Sequence, residues 1–146
     1  MSEKPMTAAR ADADLVTQMC DGDGILRLTL NDSATRNSLS DAMLSRLYDL
    51  LDAARENPAV RVIVLAANGP VFCAGHNLKE MTAARQDPAN SADRGRAYFS
   101  KILTSCSALM QSIPAHPKPV IAEVAGTATA AGCQLVTSCD LAIAAD

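Results

Sequence analysis

The stretch Ser40–Ala66 reads SDAMLSRLYDLLDAARENPAVRVIVLA, and it predicts a helix followed by a buried strand. The apolar residues up to Ala54 recur at three- and four-residue spacing, which is the spacing of one helix face. Ser40 is a suitable cap for a helix over Ser40–Arg55, and an Asn-Pro pair ends it. A single arginine interrupts the apolar run Val60–Ala66, as in a strand that is covered on both faces. A helix that leads into such a strand favours a layered α/β fold.

A hairpin is predicted upstream of this unit. Ile25–Leu30 alternates as a strand and follows an Asp-Gly-Asp-Gly turn, so Leu15–Met19 is its expected neighbour. The Gly-x-Gly of that turn precedes a strand instead of opening a helix, which favours a turn over a dinucleotide-binding loop. We expect residues 1–14 to be a disordered leader and residues 15–146 to form the N-terminal part of one domain that is truncated at its C-terminal end.

Two segments downstream share a pattern in which a buried strand leads through a turn of small residues into a helix. The first turn, Phe72–Lys79, precedes a short predicted helix near Lys79–Arg85. The second, Gly126–Gly132, follows a predicted strand at Val120–Val124 and leads into an apolar helix at Cys133–Ser138. Small residues let a backbone N–H approach a ligand closely, and a helix N-terminus adds positive potential. The pattern suits an anion or a polarised carbonyl, and close helix–strand packing is the alternative.

Two further elements complete the predicted order. A helix over Arg96–Ile113 is expected to face the core with Ile102, Leu103, Cys106, Leu109 and Met110. Asp140–Ala145 resembles a strand that is cut short, without a closing element after it. We therefore expect this chain to be the first portion of a longer protein.

Composition excludes several classes of partner. The chain has 146 residues, is 49% apolar and 20% charged, and carries a formal net charge of −3, as expected of a globular protein rather than one that neutralises phosphates along a nucleic acid. Two Phe, two Tyr and no Trp leave little for stacking on bases. The five cysteines include no Cys-x-x-Cys pair, so neither a disulfide framework nor a metal site is predicted.

The expected location follows from what the sequence lacks. No apolar run approaches the roughly 20 residues that a membrane-spanning helix needs, so no membrane partner is predicted. The first twenty residues mix acidic and basic side chains without an apolar or Arg-rich amphipathic segment. We expect a cytoplasmic protein.

Several motifs, taken in order, carry a resemblance to a known family. They are Arg36-Asn37-Ser38-Leu39, Phe72-Cys73-Ala74-Gly75-His76-Asn77-Leu78-Lys79, Lys118-Pro119-Val120-Ile121-Ala122, Gly132-Cys133-Gln134-Leu135 and Cys139-Asp140. Together they resemble the enoyl-CoA hydratase/isomerase family, the crotonases, over roughly residues 15–146. The resemblance implies an α/β fold, a crotonase-like spiral of ββα units that is incomplete because it corresponds to about the first half. It also implies a homotrimer or a hexamer for the full-length protein.

The resemblance further implies an acyl-CoA thioester as substrate, with no metal and no cofactor besides the coenzyme A of the substrate itself. The backbone N–H groups of His76 and Ala131 match those of an oxyanion hole for the thioester carbonyl, and Gln134 lies beside them in the implied catalytic set. The implied substrate-binding residues are Ser38, Ala74, His76, Asn77, Leu78, Lys79 and Ala131.

Gln134 departs from the pattern of the family's hydratases. They carry a catalytic Glu at the matching position and a second one about twenty residues further on. Gln has no titratable proton and therefore cannot act as a general acid or base. Asn77 and Gln134 together resemble the branch called enoyl-CoA hydratase domain-containing protein 3. Two alternatives to a hydratase-type lyase stay open: a decarboxylase-like member, which His76 resembles, and a non-catalytic protein that binds coenzyme A thioesters.

Two carboxylates outside these motifs have expected partners. Glu123 alternates with apolar neighbours in its predicted strand and is expected in a salt bridge or between subunits. Glu80 is expected to pair with Lys79 or Arg85 on the short helix. No nucleophilic role is predicted for Cys73 or Cys133, and packing as small apolar residues is favoured for both.

Overall fold

A computed structural model describes residues 14–145 of the chain. The predicted leader, apart from Asp14, and the final residue lie outside the described residues. Within the described range, seven strands and four α-helices follow in the order β1 Val16–Cys20, β2 Ile25–Leu30, α1 Asp41–Arg55, β3 Val62–Ala67, β4 Val71–Cys73, α2 Leu78–Gln86, α3 Arg96–Ser112, β5 Val120–Val124, β6 Thr127–Ala128, α4 Ala131–Ser138 and β7 Leu141–Ala144.

Five of the strands form one sheet in the order β1-β2-β3-β5-β7, and β4 pairs with β6 in a second, two-stranded sheet. The predicted hairpin is confirmed, since β1 runs antiparallel to β2 with Val16 opposite Leu30. All the other pairs are parallel. Ile63 lies opposite Val120, so the two predicted buried strands are neighbours. Helices supply the long crossovers that parallel strands require.

The core lies between the large sheet and α1 and α3. Ser40 caps α1 as predicted, because its hydroxyl accepts a hydrogen bond from the Met43 N–H at 3.1 Å. The apolar face of α1 is buried in the same cluster as Ile63 and Leu65. On α3 the prediction for Leu103 is wrong, since this side chain is 51% exposed. Leu103 directly follows buried Ile102, and adjacent residues on a helix point about 100° apart.

The strands are covered less completely than the apolar runs predict. Ile63 and Leu65 are fully buried, whereas Val62 and Val64 on the opposite face of β3 are only half-buried. The same outer face carries Glu123, whose predicted salt bridge is confirmed. Both carboxylate oxygens of Glu123 accept hydrogen bonds from the Arg27 guanidinium, at 2.8 and 2.9 Å. The outer face of the sheet therefore carries half-buried valines, two threonines and one ion pair.

The C-terminal end of α1 is tied to the segment that leads into β5. The Lys118 ammonium donates to the carbonyl of Ala54 at 2.6 Å and also to that of Asn57. His116 Nε2 lies 2.9 Å from the Leu51 carbonyl oxygen. Lys118 thus satisfies carbonyls at the end of the helix, where no intrahelical N–H is left to bond them, and His116 adds a contact one turn earlier.

Candidate functional site

The backbone on either side of His76 is fixed by a parallel bridge to Leu39. The Leu39 N–H donates to the Gly75 carbonyl at 2.8 Å, and the Asn77 N–H donates to the Leu39 carbonyl at 3.3 Å. In a parallel bridge of this kind the middle residue turns its own N–H and C=O away from the partner strand. Within residues 14–145, the His76 N–H donates to no acceptor.

Ala131 presents a second free N–H at the start of α4. As the first residue of the helix it has no intrahelical acceptor, and it finds no other acceptor among the described residues. Ala131 lies close to the His76 turn, because a Cβ placed on Gly75 would lie 3.3 Å from the Ala131 nitrogen. The two turns predicted from the sequence therefore meet in space, with both free donors beside the contact.

Two glycines make this contact tight. Gly75 has a φ of +88°, and a Cβ there would also lie 3.0 Å from the Ala130 Cβ. A Cβ on Gly132 would lie 2.2 Å from the Cys73 carbonyl oxygen, so only glycine fits where α4 starts against β4. The small residues are thus compatible with both predictions for this pattern, which are close helix–strand packing and access of a ligand to a backbone N–H.

Backbone strain is concentrated next to Ala131. Ala130 has φ 50° and ψ −126°, a conformation that glycine adopts far more readily than alanine. Ala131 itself is helical and does not have a positive φ. Strained residues of this kind cluster at ligand-binding turns, where the surrounding structure holds them.

A cavity of about 480 Å³ opens beside the His76 turn. The structure brings six of the seven predicted substrate-binding residues to its wall, and Ala131 is not among the lining residues. Arg36 and Lys79 are exposed at the cavity. The lining residues are Ala34, Thr35, Arg36, Ser38, Ala74, His76, Asn77, Leu78 and Lys79.

Asn37 holds the loop that forms one wall of this cavity. It is fully buried with a φ of 52°, which Asn tolerates better than most residues. Its amide donates to the carbonyls of Asn68 and Val71 at 2.9 and 2.8 Å, and its Oδ1 accepts from the Asp32 N–H at 2.8 Å. The sequence predicts no role for Asn37; the signal that points to it is its place between Arg36 and Ser38, two motif residues that line the cavity.

Gln134 lies on the first turn of α4, where its N–H donates to the Ala130 carbonyl at 3.1 Å. Its side chain is exposed and makes no hydrogen bond within the described residues. The carboxamide is therefore free to meet a ligand or water, but it brings no titratable proton to the site.

The prediction for Glu80 is wrong in its partner. Its carboxylate accepts a hydrogen bond from the Asp41 N–H at 3.1 Å, so it joins the start of α2 to the start of α1 instead of pairing along its own helix.

Burial and the neighbouring Glu80 and Asp41 carboxylates raise the pKa of Tyr98 to about 12. Asp41 also pairs with Lys101 of α3. This cluster anchors α2 directly after the His76 turn, and Asn77 Oδ1 caps α2 by accepting from the Glu80 N–H at 3.3 Å.

The buried thiols are unsuited to nucleophilic attack. Burial raises the pKa of Cys73 to about 11 and, with the charge of Asp140, that of Cys139 to about 12. A thiol with such a pKa is protonated at neutral pH and reacts slowly.

Among residues 14–145, His, Cys, Asp and Glu side chains form no group of three or more that could hold a metal ion. No helix in this range is long and apolar enough to cross a membrane.

Comparison with known proteins places this geometry in context. The family model described as enoyl-CoA hydratase/isomerase matches residues 21–146. Enoyl-CoA hydratase domain-containing protein 3, mitochondrial, of Homo sapiens is 46% identical over 125 residues, which are 85% of this chain and 38% of that protein. The 2,3-dehydroadipyl-CoA hydratase of Escherichia coli is 36% identical over 122 residues, 84% of this chain and 43% of that protein.

A solved structure agrees with the fold. The crystal structure of the human domain-containing protein 3 superposes with a TM-score of 0.77 at 44% identity, over 89% of this chain and 47% of that one. The predicted α/β class and its correspondence to about half of a crotonase-type fold are confirmed. The chain spans about two fifths of the length of the curated relatives it matches.

The expectation of a cytoplasmic protein is wrong by the same comparison. Five relatives that are 46–47% identical to this chain are all named as mitochondrial proteins. The expectation came from the composition of the first twenty residues, whereas these matches rest on the folded domain.

Proposed function

The chain belongs to the enoyl-CoA hydratase/isomerase family, and from this premise we propose that it binds acyl-CoA thioesters and stabilises their enolates between the His76 and Ala131 N–H groups. The observation that carries the proposal is the meeting of the two turns, with Gly75 placed against the Ala131 nitrogen and both N–H groups without an acceptor in the described range.

The chemistry follows from where charge develops. When the carbon next to a thioester carbonyl gains carbanion character, negative charge moves to the carbonyl oxygen. Two N–H donors that are already oriented stabilise this charge without reorganising, each by an amount on the order of 3 kcal/mol. The N-terminal end of α4 adds positive potential at Ala131. The exposed cations Arg36 and Lys79 at the adjoining cavity suit the phosphates of coenzyme A.

The side chain of Gln134 cannot transfer a proton to or from the ligand. A carboxamide there orients water or a polar group of the ligand by hydrogen bonding. We therefore propose thioester binding and enolate stabilisation as the function of this half of the site, and leave the acid–base step of hydration to residues other than Gln134.

Amide NMR of the uniformly ¹⁵N-labelled chain tests the proposal. Titration with acetoacetyl-CoA should shift the backbone amide signals of His76 and Ala131, and the near-ultraviolet absorbance of the bound enolate should rise. Coenzyme A, which lacks the acyl carbonyl, is the matched control. It should shift signals around the cavity but leave Ala131 unmoved. If neither backbone amide signal shifts at saturating acetoacetyl-CoA, the proposed oxyanion hole does not exist.

Gln134 also favours a second candidate function, which is binding of coenzyme A thioesters without catalysis. The two functions separate in one assay on the full-length protein with a short 2-enoyl-CoA. Binding at micromolar concentration without turnover would establish the second, and turnover would establish the first.

A further inference from the structure

We propose that Glu80 is a positioning residue for enolate stabilisation, because its carboxylate fixes the turn that presents the His76 N–H. The inference rests on the proposed function, since it presumes that this N–H meets the thioester oxygen. Oε2 of Glu80 accepts a hydrogen bond from the Asp41 N–H at 3.1 Å. Within residues 14–145, this is the only hydrogen bond that joins α2 to α1.

The direction of the His76 N–H is set by the peptide plane to which it belongs. The Gly75 carbonyl is part of the same trans peptide and points the opposite way. That carbonyl accepts a hydrogen bond from the Leu39 N–H at 2.8 Å, so the His76 N–H points away from Leu39. A rotation of the turn against Leu39 would therefore swing this N–H away from the thioester oxygen.

Two ties oppose such a rotation. The first is the bridge between Leu39 and His76, in which the Asn77 N–H also donates to the Leu39 carbonyl at 3.3 Å. Both hydrogen bonds of the bridge go to Leu39, so the bridge alone leaves the turn free to pivot there. The second tie is the bond from the Asp41 N–H to Glu80, two residues further along one segment and three along the other. The two ties together hold the turn at separate points and stop the pivoting.

Packing does little to hold α2 in place. None of its residues is buried, and Leu78 at its start is 71% exposed. Met81 is only partly buried against the core. The orientation of α2 relative to α1 therefore depends on the Glu80 carboxylate more than on apolar contact.

Capping of α1 does not by itself account for Glu80. Ser40 already caps this helix through the Met43 N–H, and the Asp41 carboxylate already places negative charge in its first turn. A second carboxylate beside Asp41 adds like-charge repulsion, which the Lys101 ammonium that pairs with Asp41 offsets. A carboxylate that is kept here in spite of the repulsion is better explained by the link between α2 and α1.

The near-ultraviolet absorbance of bound acetoacetyl-CoA reports the ratio of enolate to neutral ligand, and so it reports how well the donors are oriented. Glu80→Ala should lower this ratio roughly tenfold, because a misdirected N–H loses most of its effect on the enolate charge. The affinity for propionyl-CoA, which binds as the neutral thioester, should fall by about twofold or less. Glu80→Gln keeps an oxygen that can accept the Asp41 N–H, and should retain the wild-type ratio.

Asp93→Ala is the matched control for a loss of stability. The Asp93 carboxylate also serves the start of a helix, since its Oδ2 accepts from the Ala97 N–H of α3 at 2.9 Å, but it takes no part in the two ties. This variant should lower the melting temperature as Glu80→Ala does and leave the enolate ratio unchanged. An equal loss of enolate in both variants would assign the effect to general stability and overturn the positioning role.

Asp41→Pro removes the donor of the same hydrogen bond, and it replaces Glu80→Ala as the test if that variant does not fold. Proline is well tolerated as the first residue of a helix. Ser40 before it has φ −73° and ψ 167°, an extended conformation that suits a residue preceding proline. Asp41→Pro should reproduce the loss of enolate, whereas Asp41→Ala, which keeps the N–H, should behave as the wild type does.

The outcomes separate this inference from the proposed function. Wild-type enolate ratios in both Glu80→Ala and Asp41→Pro would overturn the positioning role and leave the proposed function intact. A wild-type protein that binds acetoacetyl-CoA without forming enolate would overturn the proposed oxyanion hole and the positioning role together.

Discussion

Gln134 is the residue whose chemistry can be changed most easily without moving the backbone around it. It stands on the first turn of α4 with an exposed carboxamide, three residues after Ala131. Its place in the helix leaves its side chain free, so a change to a carboxylate alters the chemistry without disturbing the packing.

We predict that Gln134→Glu accelerates exchange of the α-protons of a bound acyl-CoA with deuterium from solvent. A positioned general base contributes on the order of 10²-fold or more, and exchange requires only one base. Proton NMR of acetyl-CoA in D₂O measures the rate. Gln111→Glu, on the exposed side of α3, is the matched control and should behave as the wild type does. An unchanged rate in Gln134→Glu would mean that residue 134 does not face the α-carbon.

Other motif residues act through the backbone they hold. Asn37 ties its loop to two carbonyls, and the Asp140 carboxylate accepts from the Val120 N–H at 2.8 Å while its own N–H donates back to Val120. These side chains are polar and lie in recognisable motifs, so a sequence directs attention to them. Their partners are main-chain atoms far along the chain, which no local pattern identifies.

Lys118 shows the same dependence at the scale of an element, since it caps the end of α1 from the approach to β5. We predict that Lys118→Met lowers the free energy of unfolding by about 1.5–3 kcal/mol, the usual worth of hydrogen bonds to a charged donor. Chemical denaturation followed by circular dichroism measures this. Lys79→Met changes an exposed lysine that makes no hydrogen bond within residues 14–145, and should change the stability by less than about 0.5 kcal/mol. Equal stabilities for both variants would show that the cap contributes nothing.

The ion pair on the sheet gives a pH-dependent prediction. Hydrogen bonding to Arg27 holds the pKa of Glu123 below its usual range, so the pair stabilises the fold above the unfolded pKa of about 4.5 and loses this effect as pH falls through the lowered folded value. Both side chains are partly exposed, which limits the effect to less than about 1 kcal/mol.

We therefore expect Glu123→Gln to be slightly less stable than the wild type at pH 7. The difference should shrink progressively below pH 4.5 and fall with added salt. Urea denaturation at several pH values measures it. A difference that stays constant down to acid pH would assign the effect to packing instead of charge.

Long elements were the predictable part of the fold. The periodicity of α1 and the apolar run of β3 each report a repeated pattern, and both elements lie where the pattern places them. The strands β4 and β6 have three and two residues and escaped prediction, because a repeat cannot be read over so few positions. For the candidate site, the motifs identified residues lining one cavity, but only the fold brings Gly75 against Ala131.

For the whole molecule, the outer face of the large sheet bears on assembly. Met19, Leu141 and Ile143 are each more than 60% exposed, and exposed apolar side chains on one face are typical of a contact surface between proteins. We predict a homotrimer or a hexamer for the full-length protein. Sedimentation equilibrium at micromolar concentration measures the mass, and a monomer there would contradict the prediction.

β7 is the last strand of the large sheet, and within residues 14–145 it pairs on one side only, with β5. The free edge of such a strand presents unpaired N–H and C=O groups, which can form hydrogen bonds with another extended peptide. Unpaired N–H and C=O groups at a sheet edge are a template for aggregation for as long as they stay exposed, so covering this edge is a requirement for a soluble folded state.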